Sequence, residues 1–456
     1  MKKLMLTVLG CLFISLTYCQ SGDSVMVKKI VDEVMTNAHA YTNLKILCKQ
    51  VGQRLSGSDN YMKAVQLTQK MLKNAGADKV YLQECMVPHW VRGGKEKGEI
   101  ILSGGKKYLL HLTALGNSVG TPAGGVSAPV IEIRSMAELR NLSGMVKGKI
   151  VFFNFRMNPT YITTFRAYGE SGVSRTRGPA LAGKYGAIGV LVRSLAINFN
   201  DHPHTGVTVY NDSFPKIPAV AISTNDAEYL SNELKKRNVM IKASFTTYCK
   251  MLPDVKGYNV IGEIKGSQFP DEIITVGGHL DSWDLAEGAN DDGSGVVQSI
   301  EVLRALKALG IQPKRTIRAV LFANEENGER GADAYLAEAK EKKEKHIFAL
   351  ESDAGGFTPR GFELDVTSLQ KDKILAWKDL FYPYGVYDFS KGGGGTDIEP
   401  LKEIGAALAG LSPDSQRYFD IHHADTDVFE NVSERELNLG AANMAALIYL
   451  VDEHGM

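Results

Sequence analysis

Hydrophobic and polar positions along the chain divide it into segments of different period. Lys2 and Lys3 precede an apolar run from Leu4 to Tyr18. That run is too short for a membrane span, which needs about 20 apolar residues, and fits a secretory signal over 1–19. Residues 25–75 follow with a helical pattern, Leu44, Leu47, Val51 and Leu55 recurring at helical spacing until LSGSDN interrupts them. The stretch 61–75 (YMKAVQLTQKMLKNA) resumes the helix, with Gly76 placed as its C-cap, and KVYLQECMV at 79–87 reads as a strand.

Near residue 111 the pattern changes. GNSVGTPAGGVSAP at 116–129 reads as a linker or loop. Short β-type runs follow at Val130–Ile133, Lys149–Phe155, Ala187–Val192 and Ala219–Ile222, with helical pieces at 178–186 and 225–237 between them. From 255 onward strands and helices alternate. Val260–Ile264, Ile273–Gly277, Thr316–Ala323 and His346–Leu350 are apolar strands, while 294–309 and 329–344 are helices. Such alternation predicts an α/β fold, a mostly parallel mixed sheet flanked by helices. The predicted organisation is 20–115 and 255–456 as two parts of one catalytic domain, with a small β-rich domain at 116–254 inserted between them.

Composition narrows the functional classes. Lys plus Arg equals Asp plus Glu, 52 each, so no basic surface for nucleic acid or polybasic membrane patch is expected. After the signal, no stretch reaches the length of a transmembrane helix, so no stable membrane span is expected and the protein should be exported, to the periplasm or beyond. A lipid anchor at Cys19 is disfavoured by the bulky Tyr18 before it. Loss of the signal removes Cys11 and Cys19. Cys48, Cys85 and Cys249 remain, enough for one disulfide or none, and too dispersed for a metal cluster.

Acidic residues and histidines gather just past predicted strands, where ligands bind in open α/β sheets. GGHLDSWDLAEGANDDGSG places His279 after one strand and Asp291 in the loop beyond. Glu325 and Glu326 follow the next strand in ANEENGERGA, and Asp353 follows another in LESDAGG. DIHHADTDVFENV supplies His422 and His423. A lone histidine after a strand is usually structural, paired glutamates are usually solvated, and Asp-Asp-Gly is usually a turn. Together, at equivalent places on one sheet, these residues suit zinc, which takes nitrogen and oxygen ligands. A bridging carboxylate would allow two ions about 3.5–4 Å apart.

In order and wording these clusters resemble the M28 family of zinc peptidases, most closely its carboxypeptidase Q branch. The likeness covers most of the mature chain, including GQRLSGS at 52–58. It implies an inserted protease-associated domain. It also implies two Zn(2+) per chain, one held by His279, Asp291 and Asp353, the other by Asp291, Glu326 and His423. His423 is preferred to His422 because it stands four residues before Asp427, the family's spacing. By the same resemblance Glu325 is the general base, Asp281 fixes the His279 imidazole, and the Asp291–Asp292 bond is cis. The implied activity is exopeptidase action on short unblocked peptides, of dipeptidase or aminopeptidase type, and the branch includes homodimers. Two readings compete: a non-catalytic binding protein on the same fold, and a single-zinc glutaminyl-cyclase-like enzyme. In KGGGGTDIEPL at 391–401, Asp397 is either a contact for a free substrate amine or a solvated turn residue. His202 and His204 read as loop histidines rather than a metal site.

Overall fold

The computed structural model describes residues 22–236 and 240–456; the signal segment and Cys19 lie outside them. Two sheets organise the described chain. In chain order the strands are β1 Lys79–Val91, β2 Lys97–Ile101, β3 Lys107–Leu109, β4 Leu112–Ala114, β5 Val126–Ile133, β6 Ile150–Phe153, β7 Gly189–Arg193, β8 Ala219–Ile222, β9 Lys242–Thr246, β10 Lys250–Ile264, β11 Phe269–His279, β12 Arg315–Phe322, β13 Lys345–Glu351, β14 Pro359–Asp365 and β15 Ala407–Pro413.

The first sheet has the order β1-β10-β12-β11-β13-β15-β14. Its four inner strands β12, β11, β13 and β15 run parallel, and antiparallel partners close both edges. This is the predicted mostly parallel mixed sheet with flanking helices. The helix Ser294–Ala308 packs against it and is buried at every position from Ser294 to Leu306. Its apolar stripe alone would cover one face. The other faces are covered by the helices Ala40–Gln50 and Glu434–His454, so Gln298, Glu301 and Arg304 are buried too.

The early helical stretch is broken twice. A helix over 22–37 gives way to Ala40–Gln50, which ends before Gly52 (φ 76°), and Asp59–Asn74 begins after Ser58 accepts a hydrogen bond from the Tyr61 N–H. Leu55, expected to extend the helical stripe, lies in the loop between them, and its side chain joins a buried cluster with Trp90, Ala114 and Trp283.

The second sheet has the order β3-β2-β9-β5-β6-β7-β8-β4. It departs from expectation in two ways. Its centre, β5-β6-β7-β8, is parallel and flanked by helices, so this portion is α/β rather than simply β-rich. Its strands also begin at Lys97, not after 116, because β2 pairs with β9 and β4 with β8. The supposed linker 116–129 runs directly into β5.

The two sheets are joined by a long ribbon. β1 and β10 pair antiparallel from Lys79↔Glu263 to Val91↔Lys250. A register shift falls between Val87 and His89, at Pro88, which has no N–H to give the ladder. The half of β10 nearest Lys250 is exposed, and Pro253, Asp254 and Lys256 interrupt its apolar residues, which hides it from a search for apolar strands. Cys48, Cys85 and Cys249 are all buried free thiols, the outcome without a disulfide.

Candidate metal centre

Parallel pairing fixes where the chemistry gathers. In register, His279 sits beside Phe322 at the end of β12, and Gly277 beside Glu351 at the end of β13. His279, Glu325, Glu326 and Asp353 therefore emerge at one edge of the sheet. Asp291 joins them from the turn that leads into the helix Ser294–Ala308, and His423 from the segment after the short helix Tyr418–Ile421.

The side chains form two groups that share Asp291. His279 Nε2 lies 3.2 Å from Asp291 Oδ1 and 3.2 Å from Asp353 Oδ1. His423 Nε2 lies 3.2 Å from Asp291 Oδ2 and 3.2 Å from Glu326 Oε2. An ion with tetrahedral bonds of about 2.0 Å spaces its ligand atoms about 3.3 Å apart, so each histidine stands at a suitable distance from its two carboxylates. Asp291 Oδ2 is buried and takes no hydrogen bond, so it is left facing the gap. His422 stacks on His423 at 3.6 Å between ring centres, and its Nε2 stands 3.6 Å from Asp291 Oδ2. His423 alone of the pair also reaches Glu326.

The electrostatics call for positive charge. Burial works against a charged His279, yet Asp353, Asp291 and Glu325 raise its pKa well above the ordinary range. Burial likewise opposes a charged His423, but Glu326 and Asp291 push it up to about 9. Burial and the neighbouring Asp291 lift Glu326 to about 7, despite His423. Carboxylates packed this closely and this deeply are a setting that a divalent cation between them would neutralise.

Glu325 stands apart from both groups. Its Oε2 is 4.0 Å from His279 Nε2, and burial together with Asp353 and Glu326 raises its pKa well above normal, against the pull of His279. Its backbone N–H donates to Asp281 Oδ1 at 3.1 Å, while Ser56 Oγ donates to Asp281 Oδ2 at 2.9 Å. Asp281 was expected to hold the His279 imidazole through its carboxylate. Instead His279 Nδ1 is 3.0 Å from the Asp281 carbonyl oxygen and 3.8 Å from Oδ1. The carboxylate is already engaged by Ser56 and by the Glu325 turn.

Two aspartates without an expected role build the frame. Asp292 Oδ2 accepts the His279 N–H at 3.0 Å and its Oδ1 accepts the Gly295 N–H at 2.8 Å. A Cβ at Gly278 or Gly295 would stand 2.3–2.4 Å from that carboxylate, so glycine is required at both. The Asp291–Asp292 peptide is cis, as the resemblance implied. Asp427 accepts the N–H groups of Asn290 (2.8 Å) and Asp291 (3.0 Å). The second aspartate of NDDGSG and the H-x-x-x-D spacing were visible signals of these two positions.

Asp397 is placed differently from expectation. It is 1% exposed, neither carboxylate oxygen has a partner, and burial with Glu351 and Glu325 nearby pushes its pKa well up. Enclosed in this way, it does not line the adjoining cavity, which Gly394, Gly395 and Thr396 of the same loop do line. His202 pairs with Asp425 at 2.7 Å, and His204 is buried with both ring nitrogens unpartnered; neither joins a ligand cluster among the described residues.

Cavities open on both sides of the cluster. One of about 230 Å³ is walled by Asp353, Glu351, Lys391 and Phe165. The other, of about 490 Å³, lies between Glu325–Glu329 and Asn117 with Val207–Tyr210. Each takes part of its wall from the segment that carries the second sheet.

Residues 259–448 match the model of Peptidase family M28. The carboxypeptidase Q of Homo sapiens is 35% identical over 412 residues, 90% of this chain and 85% of that one. The carboxypeptidase Q of Xenopus laevis is 37% identical over 415 residues with the same coverage. The crystal structure of a peptidase M28 precursor from Shewanella amazonensis superposes with a TM-score of 0.90 at 31% identity, covering 96% of this chain and 98% of that one. A zinc aminopeptidase from Bacillus subtilis, at 23% identity and a TM-score of 0.63, shares the fold. With the matched segment spanning the clustered ligands, and with relatives aligned along nearly the whole described chain, the protein belongs to peptidase family M28.

Proposed function

We propose that this protein is a zinc-dependent exopeptidase that uses two zinc ions to hydrolyse short peptides with a free amino terminus. The observation that carries the reading is the pair of ligand groups sharing Asp291, each with one histidine and one further carboxylate. His279, Asp291 and Asp353 would hold one ion, and Asp291, Glu326 and His423 the other. Bound there, zinc supplies a polarised water and a Lewis acid for the scissile carbonyl.

The chain's own groups do the rest. Glu325 is the general base: partly buried, with a raised affinity for protons, and farther from His279, at 4.0 Å, than Asp291 and Asp353 at 3.2 Å. It takes a proton from the attacking water and returns it to the leaving amine. Asp281 aims it by binding its backbone N–H. Asp291 Oδ2, free of hydrogen bonds, has no competing partner to lose on binding. The cavities beside the cluster suit a short peptide, and the named relatives are carboxypeptidases and aminopeptidases. The apolar segment at 4–18 supports export to the periplasm or beyond. The portion that carries the second sheet, from Lys97 to Thr246, acts as an inserted domain that shapes access, and a homodimer fits the same family reading.

The test is a panel of free and N-acetylated dipeptides, tripeptides and longer peptides. It is run on zinc-loaded protein and its Glu325→Gln variant, with zinc assayed in both. The expected result is cleavage of free dipeptides, sparing of acetylated ones, two zincs in both proteins, and a loss of about 10²–10⁴-fold in kcat for the variant. One zinc per chain would favour the single-zinc alternative. Two zincs without turnover on any peptide would sink the peptidase assignment.

A further inference from the structure

The segment that carries the second sheet reaches into the metal centre at one point. Thr205 lies between β7 and β8, and its backbone brackets His423. The Thr205 N–H donates to the His423 carbonyl at 2.9 Å, and the Thr205 carbonyl oxygen lies 3.3 Å from His423 Nδ1. His423 holds a left-handed backbone, φ 61°, a conformation that non-glycine residues seldom keep without outside support. The Thr205 hydroxyl in turn donates to the Ala114 carbonyl at 2.8 Å, tying the bracket to β4.

Arg175, at the end of the helix Thr164–Thr176, completes the arrangement. Its Nη1 donates to the same Thr205 carbonyl at 3.3 Å and stands 3.3 Å from His423 Nδ1, and its Nη2 donates to the Tyr168 hydroxyl at 2.6 Å. The side chain is buried, and no carboxylate is within ion-pair distance among the described residues. A Cβ at Gly206 would come within 2.4 Å of the guanidinium, so only glycine lets Arg175 lie there.

A histidine that binds a metal through Nε2 must carry its proton on Nδ1. Two groups face Nδ1 here: a carbonyl that accepts that proton and a guanidinium that cannot. The metal-binding tautomer therefore directs Nδ1–H to Thr205 O, with Arg175 bound to the same oxygen and fixing its position. Partners of this kind set ligand orientation and metal affinity.

We propose that Arg175, acting through the Thr205 carbonyl, is a positioning residue for His423 and so sets the affinity of one of the two metal sites from outside the sheet that bears the ligands. The proposal rests on His423 being a metal ligand, and the experiment separates the two claims.

Zinc release from the loaded full-length protein to a chromophoric chelator is followed for wild type, Arg175→Met, Tyr168→Phe and His423→Ala. Circular dichroism and melting of the zinc-free proteins check the fold. Release is expected in two phases. In Arg175→Met one phase quickens tenfold or more while the other keeps its wild-type rate, and the zinc-free protein melts as wild type does. Tyr168→Phe keeps the aromatic packing, removes the hydroxyl that holds Nη2, and is expected to quicken the same phase by less; it carries the test if Arg175→Met folds poorly. His423→Ala is expected to lose that one ion outright. If His423→Ala loses one ion while Arg175→Met and Tyr168→Phe release both at wild-type rates, the positioning role is overturned. An equal acceleration of both phases would also overturn it, since a merely structural loss would act on both ions. If His423→Ala keeps both ions, the ligand assignment itself fails.

Discussion

Asp427 shows how a single side chain can hold the frame of the proposed metal centre without being one of its proposed ligands. Its carboxylate accepts the N–H groups of Asn290 and Asp291, and so sets the backbone from which the shared Asp291 side chain projects. Asp427→Asn puts an amide N–H₂ where one of those donors needs an acceptor. The expected cost is about 1–3 kcal/mol in urea unfolding, with weaker zinc retention at the proposed sites, to both of which Asp291 is assigned. The clustered residues were legible in the sequence because each belongs to a short motif: His279, Glu325, Glu326 and Asp353 just past apolar strands, Asp291 in NDDGSG, and His423 in the H-x-x-x-D spacing. Asp292 and Asp427 stood in the same motifs, but their targets are backbone N–H groups, which leave no mark in sequence. Arg175 and Thr205 were illegible for another reason: they lie far from any motif and meet His423 only through the tertiary fold. Asp397 was misplaced because a glycine-rich loop reads as open, whereas its final residue is enclosed beside Glu351.

Among the elements, the strands whose ends bear the ligands were the most readable, being continuous apolar runs in a parallel sheet buried on both faces. β14 and β15 escaped notice, since PRGFELD and ALAGLSP carry the proline and glycine that ordinarily argue against strands. Arg318 on β12 is a charge hidden in one of the readable strands. It bonds Glu263 of β10 at 2.7 Å and Glu344 just before β13 at 2.8 Å, crossing the sheet. Burial alone would raise the Glu344 pKa, but hydrogen bonds from His346 and Arg318 bring it down to about 2. A carboxyl held lower in the folded than in the unfolded chain stabilises above its unfolded pKa, and that contribution fades as pH falls through the folded value. Glu344→Gln is therefore expected to lose about 2 kcal/mol at pH 7. The difference from wild type should shrink between about pH 4.5 and pH 2. Urea midpoints at a series of pH values would check this, and a gap that stays constant with pH would refute it.

For the molecule as a whole, the buried carboxylates of the centre repel one another unless cations lie between them. Zinc removal should therefore lower the melting temperature, and adding it back should restore stability by about 2.7 kcal/mol per site at free zinc a hundredfold above Kd. Calorimetry of chelated and reloaded protein would show it; superimposable melts would mean that the centre binds no ion tightly. At this scale the sequence revealed two portions but misjudged where they part. β2, β3 and β4 are short, and the partners of β2 and β4, which are β9 and β8, lie far along the chain.

The paired ribbon has an evolutionary consequence. The excursion that builds the second sheet departs after Val91 and returns at Lys250, positions that face each other across one ladder. The ends of that long loop are therefore already closed by β pairing, and closure entropy grows only slowly with loop length. The excursion can lengthen, shorten or be exchanged between lineages with little thermodynamic penalty to the sheet that anchors it. What cannot drift freely is its contact with the other half: among these contacts are Gly116, whose Cβ would strike the Trp283 ring, the Phe165 and Tyr168 rings against Phe419, and the Arg175–Thr205 bracket around His423. Variation across this portion should accordingly be broad on its outer strands and narrow at those residues, so a protein engineer exchanging it would need to transplant the bracket along with it.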